Sequence, residues 1–240
     1  EPSVVTYIIP PSHNLRSLTP PSSYKQQQQQ QQRQGGATAG CNYQYNNDCH
    51  YSQYRSSFLL AKMITLRPMC IDDLMRLNNI NLDYWTEMYT TSFYTHYFTR
   101  WPELCVVAEC ADAETIAGYI IGKVEGEGMG YHSHISALSV APEFRRAGVA
   151  RQLVDYFEML SEKLHDCYFA DLYVRESNTI AIELYKARGY EVFRTVTAYY
   201  QGTPTQEEED ALDMRKPLCR DKERRCLEGA GKRVTPEDAI

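Results

Sequence analysis

Leu138-Ser-Val-Ala-Pro-Glu-Phe-Arg-Arg-Ala-Gly-Val-Ala-Arg151 decides how this chain is read. A β-like run stops at Pro142, passes through Arg145, Arg146 and Gly148, and enters a pattern in which Val149, Leu153, Phe157, Leu160 and Leu164 step by four, four, three and four. That spacing places the five side chains on one face of a helix, predicted to run about five turns. A helix N-terminus presents unpaired N–H groups and the positive end of its dipole, so the turn ahead of it can hold an anion through backbone alone. Gly148 permits close approach of the backbone, and Arg145 and Arg146 add charge. Arg145, Arg146, Ala147, Gly148, Val149 and Ala150 therefore form a candidate pyrophosphate cradle. The spacing Arg-x-x-Gly-x-Ala has neither the Gly-Lys-Ser/Thr ending of a P-loop nor the three glycines of a dinucleotide fingerprint.

Around this stretch the 240 residues accommodate one sizeable domain with tails. Residues 1–62 contain seven consecutive glutamines (Gln26 to Gln32), Pro10, Pro11, Pro20 and Pro21, and a polar Tyr/Asn/Gln tract from Cys41 to Tyr54. Such a segment buries too little apolar surface to offset chain entropy, and disorder is expected. Met63 stands directly before the first strand-like run and is an expected start of the folded domain, residues 63–219, with residues 220–240 expected to be a flexible charged tail. Residues 1–62 carry five Lys/Arg and two Asp/Glu, which leaves twenty and twenty-nine for the remainder, a net charge of −9 that disfavours direct nucleic-acid binding. No apolar run approaches a membrane span, and Phe58 to Ala61 is too short for a signal-peptide core, so a cytoplasmic protein without membrane attachment is expected. The eight cysteines show no Cys-x-x-Cys spacing and read as reduced thiols, with no metal site.

The coarse element order follows from periodicity. Ile64-Thr-Leu-Arg-Pro alternates like a strand, and Asp72 to Leu77 carries acids in a first helical turn. The aromatic stretch from Tyr84 to Trp101 has near-helical spacing. Leu104 to Cys110 and Gly118 to Val124 read as a hairpin, and His134 to Val140 as the strand leading to the cradle. After the long helix come a strand at Tyr168 to Val174, a short helix at Asn178 to Ala187, a glycine stop at Gly189, and two strands, Tyr190 to Tyr200 and Leu212 to Leu218.

That order, with the Arg-Arg-Ala-Gly-Val-Ala turn and Asn178-Thr-Ile-Ala-Ile-Glu-Leu-Tyr185-Lys-Ala-Arg-Gly189-Tyr190, resembles the GNAT acetyltransferases. The resemblance implies an α/β fold: a mixed, mostly antiparallel seven-stranded sheet flanked by about four helices, with acetyl-CoA in a cleft between splayed central strands. It adds Leu138, Val140, Asn178 and Tyr185 to the cofactor contacts. Leu66-Arg-Pro, Asn78-Asn-Ile-Asn-Leu-Asp83, Thr86-Glu-Met-Tyr89, Trp101-Pro-Glu, Ala198-Tyr-Tyr200 and Asp213-Met-Arg-Lys are similar, more narrowly, to catalytic subunits of N-terminal acetyltransferase B (NatB) complexes. The chain departs from them at Tyr84, where proline is expected, in the glycine-rich 126–130 loop and in its N-terminal extension.

The resemblance implies acetyl transfer to the α-amino group of nascent chains that begin Met-Asp, Met-Glu, Met-Asn or Met-Gln. It also implies a large helical-repeat auxiliary subunit and the ribosome as partners. An α-amino group has a pKa of roughly 7.7–8.0, so a modest base suffices and direct attack on the thioester is expected. Backbone N–H groups around Leu138 to Val140 would stabilise the oxyanion, and Tyr185 would give a proton to the departing thiolate. His134, with His132 on the same face, would meet the second residue of the substrate or accept a proton. Glu87 and Tyr89 would line the peptide path, Glu87 holding the ammonium, and Tyr199 and Tyr200 would close over the peptide as substrate-binding or catalytic residues, Tyr200 being a catalytic candidate beside Tyr185 and His134. Strict alternation along a strand lets only one of these two tyrosines face the cleft. Two other readings are an acetyltransferase for another amine and a non-catalytic paralogue that binds the auxiliary subunit.

Overall fold

The computed structural model describes residues 6–7, 64–81, 89–112, 114–202 and 207–239. Strands β1 (Thr6–Tyr7), β2 (Ile64–Pro68), β3 (Cys105–Cys110), β4 (Ile116–Glu125), β5 (His132–Val140), β6 (Phe169–Arg175), β7 (Glu191–Tyr200), β8 (Glu209–Pro217) and β9 (Lys232–Val234) form one mixed sheet. Their spatial order is β2-β3-β4-β5-β6-β8-β7-β9, with β1 beside β5. Pairing is parallel between β5 and β6 and between β7 and β9, and antiparallel elsewhere. Helices α1 (Thr91–Arg100), α2 (Val149–Lys163) and α3 (Thr179–Lys186) pack on it. The seven expected strands are β2 to β8; β1 and β9 enlarge the sheet.

Strands β3, β4 and β5 are buried along nearly their whole length, as a sheet covered on both faces requires. Helix α2 covers one face with Val149, Leu153, Phe157 and Leu160, all buried. Burial of Leu153 and Phe157 stabilises the fold by about 1.5–3 kcal/mol each. The helix approaches so closely that a Cβ on Gly122 would lie 2.4 Å from the Phe157 ring and 2.6 Å from the His134 carbonyl oxygen. The helix ends at Lys163, about four turns and not five, because Leu164 is the C-cap and its side chain is exposed.

Two expected helices are shorter than their patterns. The segment after β2 is a 3-10 helix, Ile71–Arg76. Buried Asp73 accepts from the Cys70 N–H at 2.9 Å and from Arg67 at 2.7 and 2.9 Å, and those bonds hold it in short turns. The aromatic helix starts only at Thr91, and Tyr89, ahead of it, stacks on Phe93 with centroids 3.9 Å apart.

The C-terminal segment is docked, contrary to the expectation of a flexible charged tail. Asp221 accepts from the N–H groups of Arg225 and Cys226, both at 2.9 Å; Arg215 donates to the Cys226 carbonyl, and β9 pairs with β7 from Arg194↔Lys232 to Val196↔Val234. Charge composition misleads here because the attachment is made by backbone along the β7 edge, which would otherwise be open. Of residues 1–62 only Thr6–Tyr7 are described, and they form strand pairs where disorder is expected; the remainder of that expectation lies outside the described residues.

Candidate active site

The predicted cradle closes by unusual backbone geometry. After β5, a 3-10 turn at Pro142–Phe144 leads to Arg146, whose φ is +62°, and Gly148, whose φ is +85°. Gly148 is the N-cap of α2 and supplies no side chain, so the first N–H groups of the helix have no side-chain cap. A Cβ at Gly148 would meet nothing within 4 Å; glycine is required there by conformation and not by space. Arg145 anchors the turn by donating from Nε to the Val140 carbonyl at 3.1 Å.

A cavity of about 470 Å³ opens over this turn. Val140, Arg145, Arg146, Gly148, Val149 and Ala150, all predicted cofactor contacts, line it, joined by Arg151 and Phe144 and by Ile180, Glu183, Leu184 and Ala187 on and just after α3. Leu138, Ala147, Asn178 and Tyr185 do not line it. Asn178 is the N-cap of α3, its Oδ1 accepting from the Ala181 N–H at 3.2 Å. Tyr185 is buried, with its ring edge-to-face on Tyr190 at 5.4 Å. Ile180, Glu183, Leu184 and Ala187 fall inside the Asn178 to Tyr190 stretch that carries the family resemblance, but the resemblance singles out only Asn178 and Tyr185 there.

The central strands part beside the cavity. Parallel pairing of β5 with β6 runs from His132↔Phe169 to Ile135↔Leu172 and stops there. Beyond it, the β5 edge is open enough that Thr6–Tyr7 pair antiparallel with it, Thr6 opposite Leu138 and Tyr7 opposite Ala137. The register with β4 jumps from Ile121↔Ala137 to Gly122↔Ile135, so Ser136 is a bulge residue. Helix α1 and the residues just ahead of it reach this bulge: Tyr97 Oη, on the helix, lies 2.8 Å from Ser136 Oγ, and the hydroxyl of Tyr89, before it, donates to the Ser136 carbonyl at 3.5 Å.

His134, 1% exposed, sits where the strands begin to part. Its Nδ1 is 2.8 Å from Asp171 Oδ1, and its Nε2 has no hydrogen-bond partner among the described residues. The ring lies edge-to-face on Tyr173 at 5.6 Å, and Tyr173 contacts Tyr199 at 4.9 Å. His132 Nε2 is 3.6 Å from both Glu125 Oε1 and Asp171 Oδ2, and its Nδ1 is 2.7 Å from the Gly130 carbonyl. Burial disfavours the His132 cation, but Asp171, Glu125 and the Gly130 carbonyl outweigh that and raise its pKa to about 9. Burial likewise opposes ionisation of Asp171, yet His132, His134 and Arg215 hold its carboxyl well below the usual range.

Both Tyr199 and Tyr200 belong to this region, because β7 does not alternate strictly. Ala198 has φ +53° and the β7–β8 register shifts between Val196 and Tyr200. The bulge brings the two rings within 5.2 Å of each other; Tyr199 packs on Tyr173, while the Tyr200 hydroxyl donates to the Tyr173 carbonyl at 3.4 Å and its ring lies under Arg175. Burial, with Tyr200 and Tyr173 nearby, pushes the Tyr199 phenol above its ordinary pKa, so it remains a hydrogen-bond donor. Glu87 lies outside the described residues. Sequence reasoning missed Asp171 and Tyr173, although an acid inside the apolar run Phe169-Ala-Asp-Leu-Tyr-Val is a signal that could have found the first.

A cradle ahead of α2 and a gap between β5 and β6 define an acyltransferase of the GNAT class, and the Acetyltransferase (GNAT) family model matches residues 74–190. N-alpha-acetyltransferase 20 of Dictyostelium discoideum is 50% identical over 177 residues, 74% of this chain and 99% of that protein. The N-terminal acetyltransferase B complex catalytic subunit NAA20 of Arabidopsis thaliana is 43% identical, over 73% of this chain and 98% of that one. The crystal structure of Chaetomium thermophilum Naa20 in complex with a bisubstrate analogue superposes with a TM-score of 0.68 at 39% identity, covering 73% of this chain and 99% of that chain. A NatB acetyltransferase complex bound to CoA and MES gives a TM-score of 0.58 at 37% identity, covering 64% of this chain and 99% of that one. The chain belongs to the family of NatB catalytic subunits and is an acetyl-CoA-dependent N-terminal acetyltransferase. Among the described residues no helix is long and apolar enough to cross a membrane, and no group of three His, Cys, Asp or Glu side chains is arranged to hold a metal ion.

Proposed function

We propose that this chain acetylates nascent polypeptides beginning Met-Asp, Met-Glu, Met-Asn or Met-Gln, in the cytoplasm and at the ribosome, with a large helical-repeat auxiliary subunit. The residues suit acetyl-CoA: uncapped α2 N–H groups, Arg145 and Arg146 face the cavity that would take its phosphates, and the β5 edge past Leu138, beyond its pairings with β6 and with Thr6–Tyr7, offers backbone to an extended arm. Bound there, acetyl-CoA supplies an acetyl group activated as a thioester.

The chain's own residues do the rest. Tyr89 sets one wall of the peptide path at the Ser136 bulge, with Glu87 ahead of it to hold the ammonium, and Tyr199 and Tyr200 set the opposite wall. His134 meets the amine and the second side chain of the substrate, and Tyr185 returns a proton to the departing thiolate. Asn178 supports the arm through the α3 cap it makes.

The observation that carries this reading is the buried His134, its Nε2 unengaged among the described residues, at the parting of β5 and β6. Acetyl transfer to peptides beginning Met-Asp, Met-Glu, Met-Leu and Ser-Ala tests it. Selective turnover of the first two is expected, and His134→Ala erodes that preference; equal turnover of Met-Leu overturns the specificity.

A further inference from the structure

Asp171 is a buried carboxylate that faces both His132 and His134. We propose that Asp171 is a positioning residue that fixes His134 as the Nδ1–H tautomer, turning Nε2 into the acceptor of the proton that leaves the substrate α-ammonium. The inference rests on the reading of His134 as the residue that meets the amine.

The placement is enforced by the sheet. His134 on β5 and Asp171 on β6 are directly opposed in the parallel register, so both side chains leave the same face. The 2.8 Å contact between Nδ1 and Oδ1 is a charge-assisted hydrogen bond once Asp171 is ionised, and an ionised carboxylate can only accept, which assigns the proton to Nδ1. The lone pair of the neutral ring is then on Nε2. When Nε2 takes a proton from the ammonium, the amine nitrogen is left with its free pair and the imidazolium is stabilised by Asp171, as a histidine oriented by an aspartate is in a hydrolytic triad.

The surroundings keep Asp171 ionised for this task. His132 stands between Asp171 and Glu125, and Lys123 pairs with Glu125 at 2.5 Å, so charges alternate along β4, β5 and β6. Arg215 on β8 faces Asp171 and itself pairs with Asp213, which Arg194 on β7 also holds at 2.8 Å. Tyr173, Tyr199 and, from α1, Tyr97 complete the ring of titratable groups, all three phenols held protonated mainly by burial.

The test has two arms. In the full chain, long-range proton–nitrogen correlation of the histidine rings at pH 8, assigned with His134→Gln, is expected to show His134 protonated at Nδ1 and bare at Nε2; the reverse tautomer overturns the proposal without any variant having to fold at position 171. In the complex with the auxiliary subunit, Asp171→Asn is expected to lower kcat about 10- to 100-fold at pH 7 with KM for acetyl-CoA unchanged. The deficit narrows toward pH 9.5, where the amine deprotonates unaided, and Asp171→Glu recovers part of it. If Asp171→Asn keeps the parent pH profile while His134→Gln loses it, Asp171 is not the positioning group; if His134→Gln also keeps it, the reading of His134 itself fails.

Discussion

The Ala198 N–H donates to Asp210 Oδ1 at 2.9 Å, and this bond holds the left-handed residue that sets Tyr199 and Tyr200 side by side. A non-glycine residue at positive φ costs about 1–2 kcal/mol and persists only where the surroundings hold it. The two tyrosines therefore depend on a contact across the β7–β8 hairpin. Asp210→Ala is expected to destabilise the protein by about 1 kcal/mol and to raise KM for peptide several-fold while leaving KM for acetyl-CoA unchanged. Steady-state kinetics with each substrate varied in turn checks the split.

The cradle makes the opposite prediction. Gly148→Ala meets no atom but forces an alanine to φ +85°, at a cost of about 1–2 kcal/mol. Arg146→Ala removes a charge from the cavity wall. Both variants are expected to weaken CoA binding about tenfold without changing peptide preference, measured by calorimetric titration with CoA; unchanged affinity would place the phosphates elsewhere.

Gly122→Ala probes the seat of α2. The added methyl would meet the Phe157 ring and, less yieldingly, the His134 carbonyl oxygen at 2.6 Å, so the helix and β5 must shift. A loss of about 1–3 kcal/mol is expected in urea unfolding, with lowered activity because β5 carries His134.

His132 gives the molecule a pH signature. Its pKa rises from 6.5 to about 9 on folding, so its contribution to stability is complete below pH 6.5 and is lost as the pH rises through 9. The difference in melting temperature between the parent chain and His132→Gln is expected to be largest near pH 6 and to shrink toward pH 9.5. Thermal melts across that range decide it.

Local signals were the ones a linear reading could recover. The α2 stripe, the Pro142 stop and the Gly148 turn depend on neighbours within a few residues, and they appear in the structure at or within a residue of the predicted places, except that Leu164 falls outside the helix. What escaped depends on pairing at long range. Asp171 acquires meaning only from its register with His134 thirty-seven positions earlier. The bulges at Ser136 and Ala198 break the alternation that a strand pattern assumes, and β9 is charged in sequence but attached by backbone. Asn178 matches the family motif, yet its visible work is to cap α3, a role its position before Thr179 would equally have suggested.

The central claim is transfer to an α-amino group. A peptide beginning Met-Asp and carrying an internal lysine, incubated with acetyl-CoA and the full chain in complex with its auxiliary subunit, can be sequenced by tandem mass spectrometry. A single acetyl group on the terminal methionine nitrogen, with the lysine unmodified, is the predicted result; acetyl on the lysine, or no transfer while CoA is bound, would contradict the account.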